Sequence, residues 1–195
     1  MVYESASIIS GICKSRKMYL WIRIFHKRLW DTGLRFPEGK VFEDAALLPW
    51  LGLRAQSLVH LNRSLINYRV RPGSILSGTT RTSDIFHTGR HLDLAHALDG
   101  FSEALDKADV GKFGEARFAV SHFIAMEFSK IVQRIVRAGP VGCGVDDIHA
   151  LARQFLSVMN EASPLPFADL RAEYLRRGRL ISWFKLQKAL RQTQI

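Results

Sequence analysis

The residues best spaced for metal chemistry form the pattern H-x3-H-x-D-x2-H, which runs from His87 through His91 and Asp93 to His96. On a helix, His87 and His91 would lie one turn apart, so both imidazoles could bind the same metal ion. No glutamate follows His87 at the place of the general base of zinc peptidases, and leucines fill the apolar positions around the pattern. The pattern therefore predicts a solvated helix face, and we expect no metal site in this chain.

Charged residues in the first half of the chain could bind anions or cap a helix. Arg69 and Arg71 stand beside an extended run. There, guanidinium groups could bind the oxygens of a diphosphate or simply form the surface charge of an edge strand. Glu43 and Asp44 precede an apolar helix candidate, Ala45 to Ala55. Asp44 could cap this helix by accepting hydrogen bonds from its first N–H groups, and both carboxylates would complement the helix dipole.

The elements that would position these groups change in type along the chain. Between Phe36 and Val70 the pattern predicts a small β element with extended runs at Ser57 to Leu61 and Leu65 to Val70. From Asp84 onward, apolar residues recur at helical spacing, so the sequence predicts an α+β chain that is predominantly helical. The predicted inward stripes are Leu94, Leu98, Phe101 and Leu105, then Ile124, Phe128, Ile131 and Ile135, then Ile148, Leu151, Phe155 and Met159, while Ile66, Tyr68 and Val70 would share a strand face.

Composition excludes several classes of protein. A chain of 195 residues with 47% hydrophobic and 24% charged residues is typical of a folded globular protein and argues against disorder. Two cysteines, Cys13 and Cys143, are too few for a disulfide framework and lack a zinc pattern, which favours a reducing compartment. The longest apolar run, Ala45 to Leu53, is too short to span a membrane and contains Pro49. Met1 to Ser15 lacks the basic start of a signal peptide.

The formal net charge of +10 favours anionic partners: nucleic acid, anionic lipid head groups, or nucleotide and sugar phosphates. Residues 171–191 combine many Lys and Arg side chains with apolar and aromatic ones. Such a basic helix could lie on an anionic membrane surface, or it could dock on the helical core with a solvated basic face. Nucleic acid is disfavoured, because the sequence contains no recognised helix-turn-helix, finger or RNP-type motif. The patterns indicate no particular oligomeric state.

Four segments of the first part of the chain carry a recognisable pattern together. They are Trp21 to Arg28, Gly33 to Gly39, Phe42 to Asp44 and Tyr68 to Ile75. In order and spacing, the set resembles the C-terminal half of the catalytic domain of family 2 glycosyltransferases. The resemblance implies the GT-A fold and an inverting transfer of a sugar from a nucleotide-diphosphate donor to an acceptor hydroxyl, in bacterial surface polysaccharide synthesis. Residues 1–80 would then be the acceptor-side part of such a domain, and residues 81–195 a C-terminal helical region with a basic tail.

The resemblance also implies roles for individual residues. In a single displacement, the acceptor hydroxyl must lose its proton to a positioned base as it attacks the anomeric carbon. By resemblance, Asp44 is that base, and Glu43 orients it or contacts the acceptor. Trp21 corresponds to the family's tryptophan on the acceptor side, where a ring suits the apolar face of a sugar, although a place in the core is the favoured alternative. The predicted substrate-binding or phosphate-binding residues are Arg69, Arg71, Trp21 and Tyr68.

Family 2 enzymes also carry an N-terminal nucleotide-binding half, whose Asp-x-Asp motif holds the donor diphosphate through a divalent metal such as Mn or Mg. This chain contains no Asp-x-Asp. We therefore expect a truncated glycosyltransferase, inactive alone and without a cofactor of its own. In the complete family the ligands are a nucleotide sugar and a glycan or lipid-linked acceptor, and we expect a cytoplasmic protein, peripheral at the inner face of the membrane. The alternative hypothesis is a non-catalytic basic helical module that binds an anionic membrane surface or a partner protein.

Overall fold

The computed structural model describes residues 2–3, 5–31, 33–69, 92–107, 114–138 and 145–193, and helices dominate these ranges. The prediction of a predominantly helical chain is confirmed. The helices are α1 (Ser5–Ser15), α2 (Glu43–Arg54), α3 (Leu92–His96), α4 (Phe101–Lys107), α5 (Gly114–Ala138), α6 (Val145–Ala162), α7 (Phe167–Arg176) and α8 (Leu180–Gln192). Two 3-10 turns, Leu20–Ile22 and Lys27–Leu29, precede α2. Strand β1 (Val2–Tyr3) pairs antiparallel with strand β2 (Leu58–Val59), with Val2 opposite Val59.

The longest helix, α5, lies at the centre of the fold. It packs against α1, α6, α7 and α8, while α2 packs against α1, α3 and α4. Buried residues occur around the whole circumference of α5 between Ala116 and Ile135, so this helix needs neighbours on several sides. The same apolar cluster includes side chains of α1 and α2. Residues before and after position 80 therefore share one core, and the predicted boundary itself lies outside the described residues.

The predicted helical stripes are buried. Ten of their residues expose 4% or less: Leu94, Leu98, Phe101, Leu105, Ile124, Phe128, Ile131, Ile135, Phe155 and Met159. Leu151 is half-buried, and the side chain of Ile148 lies outside the described residues. Leu94 of the first stripe lies on α3, whereas Phe101 and Leu105 lie on α4. Leu98 lies in the turn between the two helices, in which Gly100 adopts a φ of 72°.

The predicted strand from Leu65 to Val70 is wrong over its described part. Residues 65–69 form no strand, and Leu65, Ile66 and Tyr68 expose 66%, 50% and 61% of their surfaces. Val70 lies outside the described residues. Alternating apolar residues form a strand only beside a partner that accepts their hydrogen bonds, and none of the described segments lies in that position. The first run, Ser57 to Leu61, contributes only the two residues of β2.

A tight glycine corner joins α7 to α8. Gly178 adopts a left-handed φ of 66° directly after α7. Its N–H donates to the Leu175 carbonyl at 3.1 Å, and the Arg179 N–H donates to the Tyr174 carbonyl at 2.8 Å. This pair of hydrogen bonds is the Schellman arrangement that ends many helices, and it fixes the direction in which α8 leaves.

Among the described helices, none combines the length and apolar character needed to cross a bilayer.

A polar contact between α5 and α7 is embedded beside the core. Nδ1 of His122 lies 2.8 Å from the hydroxyl oxygen of Tyr174. Burial lowers the pKa of His122 to about 4, and the positive charges of Arg179, Arg16 and Lys185 act in the same direction. His122 is therefore neutral in the folded protein at pH values where an exposed histidine is charged.

This contact predicts a pH dependence of stability. A histidine in the unfolded chain binds a proton below about pH 6.5. Folded His122 stays neutral until about pH 4. Its contribution to stability is therefore present above pH 6.5 and is lost progressively as the pH falls toward 4. Urea unfolding between pH 7.5 and pH 4.5 should show this loss, and His122→Gln should show a shallower slope. Equal slopes for the two proteins would contradict the assignment.

Candidate functional site

Helix α2 begins at Glu43 without a side-chain cap. The capping residue is Phe42, whose left-handed backbone (φ 63°) turns its carbonyl into the helix. That carbonyl accepts from the N–H groups of Ala45 at 2.9 Å and Ala46 at 3.1 Å. Asp44 lies within the first turn, so the interpretation of Asp44 as the helix cap is wrong. Glu43 and Asp44 both remain in the first turn, where negative charge is favourable to the helix dipole.

The Asp44 carboxylate reaches across to the 3-10 turn instead. The backbone N–H of Leu20 faces this carboxylate and favours its ionised form. Leu20 is buried and anchors this turn, whereas the following residue, Trp21, exposes 42% of its surface. The contact therefore holds the tryptophan segment beside the start of α2. This contact joins the two segments that carry Trp21 and Asp44.

The surroundings of Asp44 raise its pKa above the ordinary aspartate value. Burial is the largest cause, and the negative charge of Glu43 acts in the same direction. The backbone N–H of Leu20 and the positive charge of Arg23 partly oppose this rise. A carboxylate with a raised pKa binds a proton more strongly, which suits it to general-base chemistry better than a fully solvated aspartate.

Arg23 completes the polar part of the site, and the sequence analysis assigned it no role. Its guanidinium donates to the backbone carbonyls of Lys17, at 3.0 Å, and of Tyr19. Burial lowers the pKa of Arg23, and the charge of Asp44 raises it. The signal that could have found this residue is its place in the segment Trp21 to Arg28, two residues after the tryptophan.

Three aromatic rings form a surface next to this polar group, which we call the aromatic platform (Tyr19, Trp21 and Tyr68). The rings of Trp21 and Tyr68 are stacked, with centroids 5.1 Å apart and planes at 16°. Tyr19 lies against Trp21 at 5.5 Å and 36°. All three side chains are exposed, by 42%, 42% and 61% in chain order. The favoured interpretation of Trp21 as a core residue is therefore wrong, and the ring of Tyr68 stands beside it.

The other predicted site residues lie apart from this group or outside the described residues. Arg69 is exposed beside Tyr68, and Arg71 is outside the described residues. His87 and His91 are also outside them. Asp93 bonds Lys40 Nζ at 3.1 Å and the Val41 N–H at 3.2 Å, while His96 pairs with Asp99 at 3.2 Å. The described ranges contain no group of three or more His, Cys, Asp or Glu side chains that could hold a metal ion.

A charged groove lies elsewhere, between the first turn of α5 and helix α7. Its lining includes Glu115, Glu173 and Arg177. Arg177 bonds Glu173 and Glu115, at 2.5 Å each, and stacks over the ring of Phe118 at 3.9 Å. These charges neutralise one another, and hydrogen bonds from Arg176 and Arg177 lower the pKa of Glu173 to about 2. The groove is therefore an ion-paired junction between helices, and its charges stabilise the α5–α7 contact.

Burial also determines the chemistry of Cys13 on α1. Its side chain is free and buried, and desolvation raises the pKa of its thiol to about 12. The neutral thiol packs with the core residues around it. Cys143, the second cysteine, lies outside the described residues.

Comparison with known proteins gives one partial similarity. A protein named glycosyltransferase GlyA, from Streptococcus pneumoniae serotype 4, is 32% identical to this chain over 80 residues. The aligned part covers 38% of this chain and 11% of that protein, so the chain spans a small fraction of its relative. No protein-family model and no solved structure matches the chain. The similarity supports a relationship to glycosyltransferases.

Proposed function

We propose that this chain forms the acceptor side of an inverting, family 2-type glycosyltransferase. The observation that carries the proposal is Asp44, which is half-buried, has a raised pKa and lies against the turn that holds Trp21. A base and an aromatic surface side by side are what the transfer of a sugar to a hydroxyl requires. The similarity to a protein named as a glycosyltransferase supports the same class of reaction.

In the proposed reaction, the acceptor sugar lies against the aromatic platform with one hydroxyl directed at Asp44. The hydroxyl oxygen attacks the anomeric carbon of a nucleotide-diphosphate sugar, and its proton passes to the Asp44 carboxylate. The new C–O bond forms as the bond to the diphosphate breaks, and the nucleoside diphosphate leaves with the electron pair. Because attack and departure occur on opposite faces of one carbon, the anomeric configuration inverts.

Arg23 and Glu43 tune the base in this proposal. The Arg23 charge favours the ionised carboxylate, whereas burial and the Glu43 charge favour the protonated one. Asp44 thus binds a proton more tightly than a solvated aspartate does. Arg69, exposed beside Tyr68, and Arg71 are proposed to contact the acceptor or the diphosphate through guanidinium hydrogen bonds.

The donor diphosphate of such enzymes is held by a divalent cation such as Mn or Mg. The residues described here do not fit that group, because no three carboxylate, histidine or cysteine side chains converge. The chain also has no Asp-x-Asp. We therefore derive no step through a metal, and we assign this chain the acceptor side of the reaction alone. By resemblance to the family, we propose a lipid-linked or glycan acceptor at the cytoplasmic face of a membrane.

Oligosaccharide binding tests the acceptor side directly on this chain. Trp21 is the middle ring of the platform, so Trp21→Ala removes both ring contacts and should weaken binding about tenfold or more. The binding of soluble oligosaccharides from a panel is measured by intrinsic fluorescence. For the variant, which lacks the platform tryptophan, it is measured by saturation-transfer NMR. Phe184→Ala is the matched control, because Phe184 is also an exposed aromatic residue, at 63%, but lies on α8. Equal binding by Trp21→Ala and wild type would overturn the assignment of the platform.

A further inference from the structure

The solvent-facing side of α8 is unusual in its chemistry. At 100° per residue, six exposed side chains fall within an arc of about 140° on this helix. They are Leu180, Ile181, Phe184, Lys185, Lys188 and Arg191, and we call them the α8 outer face. Leu186 and Ala189 lie on the opposite side and are fully buried. The outer face thus consists only of apolar and basic side chains.

The apolar members of this face are well exposed. Leu180, Ile181 and Phe184 expose 53%, 74% and 63% of their surfaces. Leu175, at the end of α7, adds another apolar side chain that is 52% exposed. Single exposed apolar residues are ordinary on a protein surface, but several on one short helix and its preceding turn indicate a surface that contacts something less polar than water.

The basic members of the face are available to an external partner. Lys185, Lys188 and Arg191 form no ion pair with any residue in the described ranges, and α8 contains no acidic residue. Helix α7 is different, because Arg176 and Arg177 are both bonded to Glu173. Within the described ranges, the positive charges of these three side chains therefore take part in no ion pair.

The fold presents this face in a fixed orientation. Leu186 and Ala189 dock α8 onto the core, and α8 packs against both α5 and α7. The hydrogen bonds at Gly178 fix the corner from which α8 starts. The outer face is therefore formed before any partner binds, so binding requires no folding of the helix.

We propose that the α8 outer face binds the surface of an anionic lipid bilayer. Its apolar side chains would enter the boundary between head groups and acyl chains, while Lys185, Lys188 and Arg191 bind lipid phosphates. The combination of apolar and basic side chains on one face fits a lipid surface, which presents negatively charged head groups above an apolar interior. A second copy of this chain fits poorly, because two such faces would bring like charges together. The proposal stands on α8 alone and does not depend on glycosyl transfer.

Vesicle co-sedimentation of the 195-residue chain tests this binding. The probes are vesicles of phosphatidylcholine with one quarter phosphatidylglycerol and vesicles of phosphatidylcholine alone. Lys185→Gln with Lys188→Gln should lower partition to the anionic vesicles at least about tenfold. The matched control is Lys17→Gln with Lys27→Gln, which removes the same charge from two exposed lysines on another part of the surface. The control pair should lower partition by less than about threefold.

The apolar contribution is tested by Ile181→Ser with Phe184→Ser, which should also lower partition about tenfold or more at unchanged net charge. All the substituted side chains are exposed, so circular dichroism and the thermal midpoint should match those of the wild type. Equal losses from the two lysine pairs, unchanged binding of the serine variant, or no binding to anionic vesicles would each overturn the proposal. Self-association that disappears in the serine variant, without lipid binding, would assign the face to a second copy instead.

Discussion

Asp44→Asn is expected to lower glycosyl transfer by about 10²–10⁴-fold, because asparagine cannot accept the proton of the acceptor hydroxyl. The fold should be nearly unchanged, since asparagine is close to aspartate in size and its side-chain oxygen can still face the Leu20 N–H. The measurement is transfer of a radiolabelled sugar from a panel of nucleotide-diphosphate sugars, made with the natural polypeptide that carries these 195 residues.

Two controls separate a missing base from other effects. Asp31→Asn removes one exposed carboxylate from the same half of the chain and should leave transfer unchanged. Glu43→Gln should have a smaller effect than Asp44→Asn, because Glu43 acts on the base through its charge. Transfer by Asp44→Asn at the wild-type rate would refute the role of Asp44. A larger loss in Glu43→Gln than in Asp44→Asn would move the base to the neighbouring residue.

The largest effect on stability is expected for Phe128→Ala in the centre of α5. Phe128 is fully buried and packs against Phe167 of α7, with ring centroids 5.2 Å apart. Removing a buried ring loses its transfer free energy and leaves a cavity, so the free energy of unfolding should fall by about 3–5 kcal/mol. Urea denaturation at neutral pH measures the change.

Phe184→Ala is the matched control for this substitution, because the same side chain is removed from a position that is 63% exposed. Its effect on the free energy of unfolding should be within about 0.5 kcal/mol. Similar losses in the two variants would contradict the central position of α5, as would a loss below about 1 kcal/mol in Phe128→Ala.

The helical core was predictable because its signal is local. Leu94, Leu98, Ile124 and Phe128 recur at spacings that place them on one side of a helix, and each is buried. The same signal is present in α1, where Ile8, Ile9, Ile12 and Cys13 are buried, although no helix was predicted there. A short amphipathic helix at a chain end is recognised by the same periodicity as a longer internal helix.

The strand prediction failed because a strand depends on residues distant in sequence. Leu65 to Tyr68 alternates as a strand does, yet pairing requires a neighbouring segment that the local pattern cannot specify. The pairing of Val2–Tyr3 with Leu58–Val59 joins segments more than fifty positions apart, and no local pattern marks it. The start of α2 shows the same limit, because Phe42 rather than Asp44 caps the helix, and Asp44 faces the backbone of Leu20 on another segment.

The candidate site was predictable in part for a related reason. The resemblance indicated Trp21, Asp44 and Tyr68 separately, whereas the relative positions of their side chains depend on the fold. Trp21 stacks on Tyr68, which belongs to a different segment of the chain. Hydrophobic periodicity predicts contacts on one face of a single helix or strand, so it does not predict this one. Arg23 was not predicted, because its sequence context indicates only a surface charge. Its hydrogen bonds to two backbone carbonyls depend on the fold.

The most direct test of the proposed acceptor position is the amide NMR spectrum of this chain during titration with the oligosaccharide that binds it best. The Leu20 N–H faces Asp44, and Trp21 follows it in sequence, so both report on this position. We expect the largest shifts at the Leu20 amide and the Trp21 indole, and we expect the Leu20 amide to titrate with Asp44 above the ordinary aspartate pKa. Largest shifts in the α5–α7 groove or on α8, with Leu20 and Trp21 unchanged, would refute the assignment of the acceptor position.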